Sequence, residues 1–306
     1  MTPIGVRRNV LGIHALVWVK EWDTANAEIA IGRTADAGFD LVEMPMLDPG
    51  AIDVERVRAA LDRASIDVRC SLGLPFDADV SSEDDSVVAR GEAHLEKALE
   101  ASSALGAPLL TGVLYSALGK YQSPPTALGW SNSVNALGRL ADRAERLGVT
   151  LGLEVVNRYE SNLINTAASA MRMVDEIGRD NVVIHLDTYH MNIEEGDFAG
   201  PVFACGDRLG YVHVGESHRG YLGAGVVDFA SLFRALVDVG YDGAITFESF
   251  SASTTPMELA GTLGVWRGNW VDPMDVALRA RGYIEAVLTA AKEGRLDRHK
   301  VTRVVA

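Results

Sequence analysis

Short apolar runs alternate with longer amphipathic segments along the chain, and this alternation is the feature that most restricts its fold. Eight runs have the length and composition of buried strands, near Leu11–Leu16, Leu41–Met44, Val68–Leu72, Leu109–Val113, Leu151–Val155, Val182–Leu186, Gly210–Val214 and Ala244–Phe247. Helical patterns follow them, near Ala25–Ala37, Val54–Ala64, Val87–Leu105, Asn132–Leu147, Thr166–Ile177, Pro201–Cys205, Phe229–Val239 and Met274–Lys292. Strict strand–helix alternation is typical of a parallel sheet. Eight such units in 306 residues predict an α/β protein with a single (β/α)₈ TIM barrel.

Two segments are longer than a minimal barrel loop. Ala117–Trp130 follows the fourth predicted strand, and Ser249–Val271 follows the eighth. Loops that follow barrel strands lie at the C-terminal mouth, where the active sites of such barrels are built. We therefore expect long loops around that mouth. We see no Pro/Ser-rich linker that would divide the chain into two domains.

Four residues stand at or near the ends of four consecutive predicted strands: Glu154, Asp187, His213 and Glu248. Their spacing matches the roughly 31 residues of one barrel unit. The C-terminal ends of parallel strands meet at one mouth, so three carboxylates and one imidazole should converge there. This donor set suits Mn²⁺, Mg²⁺ or Co²⁺. His185 lies two residues before Asp187 and should face the same side of its strand, where we expect it to support a ligand rather than bind the metal.

Charge and cysteine content exclude several classes of partner. The formal net charge is −14, which argues against a nucleic-acid partner and against anionic lipid surfaces. Cys70 and Cys205 lie in no CxxC pattern, which favours free thiols in a reducing cytoplasm. No apolar run approaches the ~18 residues of a membrane span, and the N-terminal residues lack the apolar core of a signal peptide. These observations predict a cytoplasmic protein without a membrane partner.

Two sequence blocks are highly specific: Leu153-Glu-Val-Val-Asn-Arg-Tyr-Glu160 and His185-Leu-Asp-Thr-Tyr-His-Met-Asn192. In these blocks the chain resembles the ketose 3-epimerases, the D-tagatose, D-allulose (D-psicose) and L-ribulose 3-epimerases of the sugar isomerase/epimerase barrels. Further matching stretches span almost the whole chain: Gly12–Trp18, Gly38–Glu43, Leu72–Leu74, Asp79–Asp84, His213–Arg219 and Phe247–Phe250. The resemblance implies one xylose isomerase-like TIM-barrel domain over residues 1–306. His14, Leu16 and Trp18 are closest to the L-ribulose/D-allulose subgroup.

The resemblance also implies roles for individual residues. The four strand-end residues would bind one divalent metal per subunit, Mn²⁺ first, with Co²⁺ or Mg²⁺ as alternatives, and Glu154 and Glu248 would also be the catalytic acid and base. Glu160, His190 and Arg219 would bind sugar oxygens near C1 and C2. Less specific matches imply pocket walls at His14, Trp22, Glu43, Leu74, Tyr115 and Phe250. The family further implies a homodimer or homotetramer.

The expected activity is proton transfer at C3 of a free ketose through a cis-enediolate. The substrate pairs would be D-fructose/D-allulose, D-tagatose/D-sorbose and L-ribulose/L-xylulose. An aldose–ketose isomerase or an inosose-type dehydratase would use the same metal barrel and stays an alternative. The glycine-rich run Gly220–Gly225 leaves a phosphorylated sugar open, although we favour an unphosphorylated one. Net charge and the single central histidine argue against a DNA endonuclease, and the paired glutamates argue against a non-catalytic sugar-binding protein.

Overall fold

Eight parallel strands close into a barrel in the order β1 to β8, with β1 also paired to β8. The computed structural model describes residues 9–46 and 48–305, with side chains described to residue 295, so both ends of the predicted 1–306 domain lie outside it. The strands are β1 Leu11–His14, β2 Leu41–Pro45, β3 Asp67–Leu74, β4 Leu109–Ala117, β5 Thr150–Val155, β6 Val182–Asp187, β7 Leu209–Val214 and β8 Ile245–Phe247. The predicted (β/α)₈ TIM barrel is confirmed.

The strands read as apolar runs because helices cover the outside of the barrel while side chains fill its inside. Every residue of β1, β2 and β4 is buried. One continuous apolar cluster joins the barrel to the helices around it. Burial of apolar surface on both faces is the main stabilising contribution in such a fold.

Ten α-helices are found in the described part of the chain. They are α1 Thr24–Asp36, α2 Val54–Ala64, α3 Asp85–Leu105, α4 Ala127–Leu147, α5 Ala167–Ile177, α6 Thr188–Glu194, α7 Gly200–Cys205, α8 Phe229–Val239, α9 Met257–Leu263 and α10 Pro273–Val305. The sequence predicted one helix per strand. The difference is that α6 and α7 both lie between β6 and β7, and α9 lies in the insertion after β8. α6 and α9 have only seven residues each, too few to give a clear helical period.

Several predicted boundaries are wrong, and the largest difference is at α10, which continues to Val305 rather than ending near Lys292. β1 ends at His14 rather than Leu16, because the His14 ring accepts the Leu16 N–H and begins a short 3₁₀ turn. β4 continues to Ala117, four residues beyond the predicted Val113. α4 begins at Ala127 because the Thr126 hydroxyl caps it, so the loop after β4 is shorter than expected.

The insertion after β8 covers one side of the C-terminal mouth. Its helix α9 belongs to a small apolar cluster that includes Leu16 and Phe250 and is separate from the main core. Trp270, at the other end of the insertion, donates its indole N–H to the Ser249 hydroxyl. Within the described residues, no helix is both long enough and apolar enough to span a bilayer.

Candidate active site and metal centre

The four strand-end residues converge at the C-terminal mouth of the barrel. Glu154 lies on β5, Asp187 ends β6, His213 lies on β7 and Glu248 follows β8 directly. Strand register places Asp187 opposite His213, and His213 opposite the residue two before Glu248. Three of the side chains are at most 8% exposed, and the Glu154 side chain is 12% exposed.

Ligand atoms of Asp187, His213 and Glu248 all lie within 4.8 Å of one another. Glu154 lies in two overlapping groups instead, one with Asp187 and His190 and one with His185 and His213. The His213 Nδ1 atom lies 3.6 Å from Glu248 Oε1 and 3.9 Å from Glu154 Oε1. This nitrogen is buried and has no hydrogen-bond partner among the described residues. An unpartnered imidazole nitrogen facing carboxylates is costly unless a cation or proton satisfies it. The cluster therefore fits one divalent cation held by oxygen donors and one imidazole.

The other ring nitrogen of His213, Nε2, is hydrogen-bonded to a buried carboxylate. Glu43, on β2, is fully buried, and its Oε2 atom lies 2.6 Å from His213 Nε2. The Tyr211 hydroxyl donates to the same oxygen at 2.7 Å. Carboxylates that bond the outer nitrogen of a ligand histidine orient its ring toward the metal. Sequence reasoning placed Glu43 among the softer pocket walls and missed this contact, although its position at a strand end was a usable signal.

His185 takes the place expected of a supporting residue. It is fully buried, and its Nδ1 atom lies 2.9 Å from the Thr111 hydroxyl. Its ring makes an edge contact with His213, with centroids 4.1 Å apart. The same Nδ1 atom is 3.9 Å from Glu154 Oε2. His185 therefore packs beneath the ligand cluster and restrains both His213 and Glu154.

Arg219 lies against two of the carboxylates. Its guanidinium contacts Glu248 and lies 3.2 Å from Asp187 Oδ2. The same group stacks on the Tyr189 ring, 3.8 Å from its centroid. The backbone φ of Arg219 is +59°, a left-handed value that is unusual for a non-glycine residue, and the Glu216 carbonyl accepts its N–H. Strained backbone of this kind is concentrated at functional sites.

Burial and nearby charges shift the pKa values of the two expected catalytic carboxyl groups in opposite directions. Burial raises the pKa of Glu154 well above its usual range, and the nearby Glu248 adds to this. Burial would also raise the pKa of Glu248, but the Arg219 guanidinium together with His213 and His14 outweighs burial and holds that pKa below the usual range. The two groups therefore favour opposite protonation states in the metal-free protein.

Other groups at the mouth have shifted pKa values for the same reasons. Burial raises the pKa of Asp187 to about 6 and that of Glu160 to about 7, although Arg219 opposes both shifts. Burial disfavours a charge on His213, but Glu43 and Glu248 raise its pKa to about 10. A bound dication would favour the ionised carboxylates and the neutral imidazole.

One cavity joins these groups. Five of the predicted substrate-binding residues line it: His14, Glu160, His190, Arg219 and Phe250. Glu43, Glu154 and Glu248 line it as well. Leu259 and Leu263 of α9 form part of its apolar wall. The sequence did not single out these two leucines, because nothing in a seven-residue apolar stretch shows which strand ends it will cover.

Three predicted pocket walls lie elsewhere. Tyr115 is fully buried, and its hydroxyl donates a hydrogen bond to the Glu154 backbone carbonyl at 2.8 Å. Its side chain therefore stabilises β5 rather than lining the cavity. Leu74 is buried in the main core, and Trp22 packs against that core from the loop before α1. None of the three is among the cavity-lining residues. These placements correct the expectation, because strand and loop position alone did not fix which way each side chain points.

The sequence matches the xylose isomerase-like TIM barrel family over residues 31–269. It is 48% identical over 282 residues to a ketose 3-epimerase of Arthrobacter globiformis, covering 92% of this chain and 98% of that one. It is 49% identical over 279 residues to an L-ribulose 3-epimerase of Methylomonas sp. (strain DH-1), covering 91% and 98%. A crystal structure of a D-allulose 3-epimerase from Methylomonas sp. in complex with D-allulose superposes with a TM-score of 0.90 at 49% identity, covering 92% and 97%. The chain therefore belongs to the ketose 3-epimerases, a family of isomerases within the xylose isomerase-like TIM barrels.

Proposed function

We propose that this enzyme is a metal-dependent 3-epimerase of free ketoses. Its substrate pairs would be D-fructose/D-allulose, D-tagatose/D-sorbose and L-ribulose/L-xylulose. The observation that carries the proposal is that Glu154 and Glu248 line one cavity together with Glu160, His190 and Arg219. Two carboxyl groups at one centre can act as base and acid in a proton transfer.

Epimerisation at C3 removes a proton from one face of the carbon and returns a proton to the other face. One of the two carboxyl groups, Glu154 or Glu248, would remove the proton from C3, and the other would return a proton to the opposite face. The reverse reaction exchanges these roles. Between the two transfers the sugar is a cis-enediolate, whose oxygens Glu160, His190 and Arg219 would bind near C1 and C2.

We propose that Glu154, Asp187, His213 and Glu248 hold one divalent cation per subunit, Mn²⁺ first, with Co²⁺ or Mg²⁺ as alternatives. The unpartnered His213 Nδ1 atom and the clustered carboxylates support this assignment. When bound, such a cation supplies positive charge that stabilises negative charge on the adjacent sugar oxygens.

The charge of the cavity supports an unphosphorylated substrate. Among the described residues that line it, Arg219 carries the only permanent positive charge. That guanidinium already contacts Asp187 and Glu248. Burial lowers the pKa of His14 and of His190, so both rings favour the neutral form. A phosphate dianion would therefore meet carboxylates without a free cation to bind it.

The experiment that tests the proposal is a proton-exchange assay. The protein is stripped with EDTA, reconstituted with Mn²⁺ and incubated with D-fructose in D₂O, and NMR then follows deuterium at C3 and formation of D-allulose. We expect metal-dependent D-allulose that carries deuterium at C3. Glu154→Gln and Glu248→Gln should each abolish it, whereas Glu176→Gln, a change at an exposed carboxylate of α5, should leave the rate unchanged.

Three other outcomes would contradict the proposal. The absence of C3 exchange with D-fructose, D-tagatose and L-ribulose would exclude 3-epimerase activity on these ketoses. Deuterium at C1 together with an aldose product would instead identify an aldose–ketose isomerase on the same barrel. Loss of water from an inosose would identify the dehydratase alternative.

A further inference from the structure

Asn157 lies behind the cavity and contacts two of the residues expected to bind the sugar. It follows the end of β5, is 1% exposed and is not among the cavity-lining residues. We propose that Asn157 is a positioning residue that fixes both the direction of the Glu160 carboxylate and the nitrogen of His190 that carries the proton. The consequence for catalysis rests on the proposed function, in which Glu160 and His190 bind the ketose.

The orientation of the Asn157 amide follows from its hydrogen bonds. The Tyr159 backbone N–H donates to Asn157 Oδ1 at 2.9 Å. A backbone N–H can only donate, so the atom that it meets must be the oxygen. The amide nitrogen therefore points the other way, toward Glu160 and His190, where it offers two N–H donors.

The same reasoning fixes the proton on His190. The backbone N–H of Asn157 donates to His190 Nδ1 at 3.1 Å, and the side-chain nitrogen of Asn157 lies 2.8 Å from the same atom. Because both neighbours are donors, Nδ1 must be an unprotonated acceptor, and a neutral ring then carries its proton on Nε2. Nε2 lies 3.6 Å from Glu154 Oε1 and 3.7 Å from Asp187 Oδ2. His190 therefore presents an N–H donor to the cavity rather than a lone pair for a metal.

Glu160 is held by the same amide. Asn157 Nδ2 donates to Glu160 Oε1 at 2.8 Å, and the Glu160 backbone N–H donates to the Asn157 carbonyl at 2.9 Å. The other carboxylate oxygen, Oε2, lies 3.9 Å from His190 Nε2. One oxygen of Glu160 is thus engaged by Asn157, and the other stays near the His190 donor, where it can accept from a sugar hydroxyl.

Two substitutions separate the two functions of this amide. In Asn157→Asp a carboxylate of nearly the same shape replaces both N–H donors, so it should repel Glu160 and draw a proton onto His190 Nδ1. In Asn157→Ala the side-chain donors are lost, but the backbone N–H remains. His190 should then keep its proton on Nε2, while Glu160 loses its fixed direction. Asn162→Asp is the matched control, because that amide lies in the same loop and, among the residues that the structure describes, donates to the Ser123 carbonyl rather than to Glu160 or His190.

The test combines ring-nitrogen NMR with kinetics. Protein labelled with ¹⁵N-histidine is compared for wild type, the two Asn157 variants and Asn162→Asp, and His190→Gln identifies the His190 signals. Kinetic constants for D-fructose are measured on the Mn²⁺-loaded proteins. We expect Asn157→Asp to protonate Nδ1 of His190 and to reduce kcat/KM roughly 100-fold, the scale of a misplaced binding group. Asn157→Ala should leave the His190 signals unchanged and raise KM more than it lowers kcat.

The results separate this proposal from the proposed function. Unchanged His190 signals in Asn157→Asp, or a wild-type kcat/KM in both Asn157 variants, would overturn it. If Asn157→Asp does not fold, the kinetics of Asn157→Ala decide the role toward Glu160, and the wild-type spectrum decides whether Nε2 carries the proton. A wild-type protein without epimerase activity would refute the proposed function, while the NMR result would still report on the His190 proton.

Discussion

Three buried side chains determine which nitrogen of His213 faces the expected ligand cluster. The Tyr211 hydroxyl donates to Glu43, so the Thr246 hydroxyl, 2.6 Å from the Tyr211 oxygen, is the donor in that second contact. Glu43 Oε2 thus accepts from both Tyr211 and His213. Burial opposes the charge of Glu43, but His213 outweighs this and keeps its pKa below the usual range. When the His213 ring is neutral, its proton therefore stays on Nε2, and Nδ1 faces Glu154 and Glu248.

Replacing Glu43 should weaken metal binding without removing any of the four expected ligands. Glu43→Gln keeps the shape of the side chain but loses the charge that orients His213. We expect the affinity for Mn²⁺ to fall 10–100-fold, the typical cost of losing such a supporting contact. Calorimetric titration of the EDTA-treated protein would measure this.

Glu195→Gln is a suitable control for that titration, since the Glu195 carboxylate bonds the Ala167 N–H and does not line the cavity. Equal Mn²⁺ affinities for Glu43→Gln and the wild type would show that the carboxylate does not orient His213.

Within the barrel, the pairing of β3 with β4 depends on a glycine. Gly112 pairs with Leu72 and has φ of +108°, a value that side-chain-bearing residues rarely adopt. A Cβ atom on Gly112 would lie 2.2 Å from the Leu72 carbonyl oxygen. The strands shift register directly after this point, between Gly73 and Leu74. The close approach of the Gly112 and Leu72 backbones therefore lies directly before the register shift between β3 and β4.

Gly112→Ala should destabilise the protein because it introduces both a strained φ and a backbone clash. We expect the free energy of unfolding to fall by more than about 1 kcal/mol. Gly138→Ala provides the contrast, because Gly138 lies in α4, and a Cβ there meets no atom within 4 Å. Gly138→Ala should raise the free energy of unfolding by about 0.5–1 kcal/mol, because alanine has a higher helix propensity than glycine. Urea titrations of both variants would test the pair, and equal effects would contradict the steric explanation.

For the molecule as a whole, the closely spaced carboxylates at the barrel mouth link stability to cation binding. Glu43, Glu154, Asp187 and Glu248 are brought into one region of a chain whose formal net charge is already −14. A ligand that binds only the folded state stabilises it by mass action. At a free Mn²⁺ concentration 100 times the dissociation constant, we expect about 2.7 kcal/mol of added stability, seen as a higher Tm.

This stabilisation should increase with pH. Asp187, whose pKa is about 6, must lose its proton to become a ligand, and His213, whose pKa is about 10, must lose one as well. Both groups lose their protons as the pH rises, so protons compete less with Mn²⁺ for these two ligands at higher pH. Thermal melts with and without Mn²⁺ should show a Tm difference that grows from pH 5 to pH 8. A difference that is constant, or largest at pH 5, would contradict these ligand assignments.

The oligomeric state and the cellular location are also properties of the whole molecule. The homodimer or homotetramer and the cytoplasmic location implied by the sequence stay predictions. Light scattering of the purified protein would determine the number of subunits, and a monomer would contradict the first of them.

The sequence by itself determined the barrel and the positions of the converging side chains. Parallel strands buried on both faces leave a periodic apolar pattern, and each strand ends at the same mouth, so Glu154, Asp187, His213 and Glu248 could be assigned to one site from spacing alone. The family resemblance added Glu160, His190 and Arg219, all of which line the cavity.

Only the tertiary structure decided where the supporting side chains point. Glu43 reaches His213 across the barrel, Asn157 turns its amide toward His190, and Tyr115 points away from the cavity to the Glu154 carbonyl. These directions follow from rotamers and hydrogen bonds between residues on different strands and loops. A linear pattern records which residues share a face, but it does not record which partner across the barrel each of them meets.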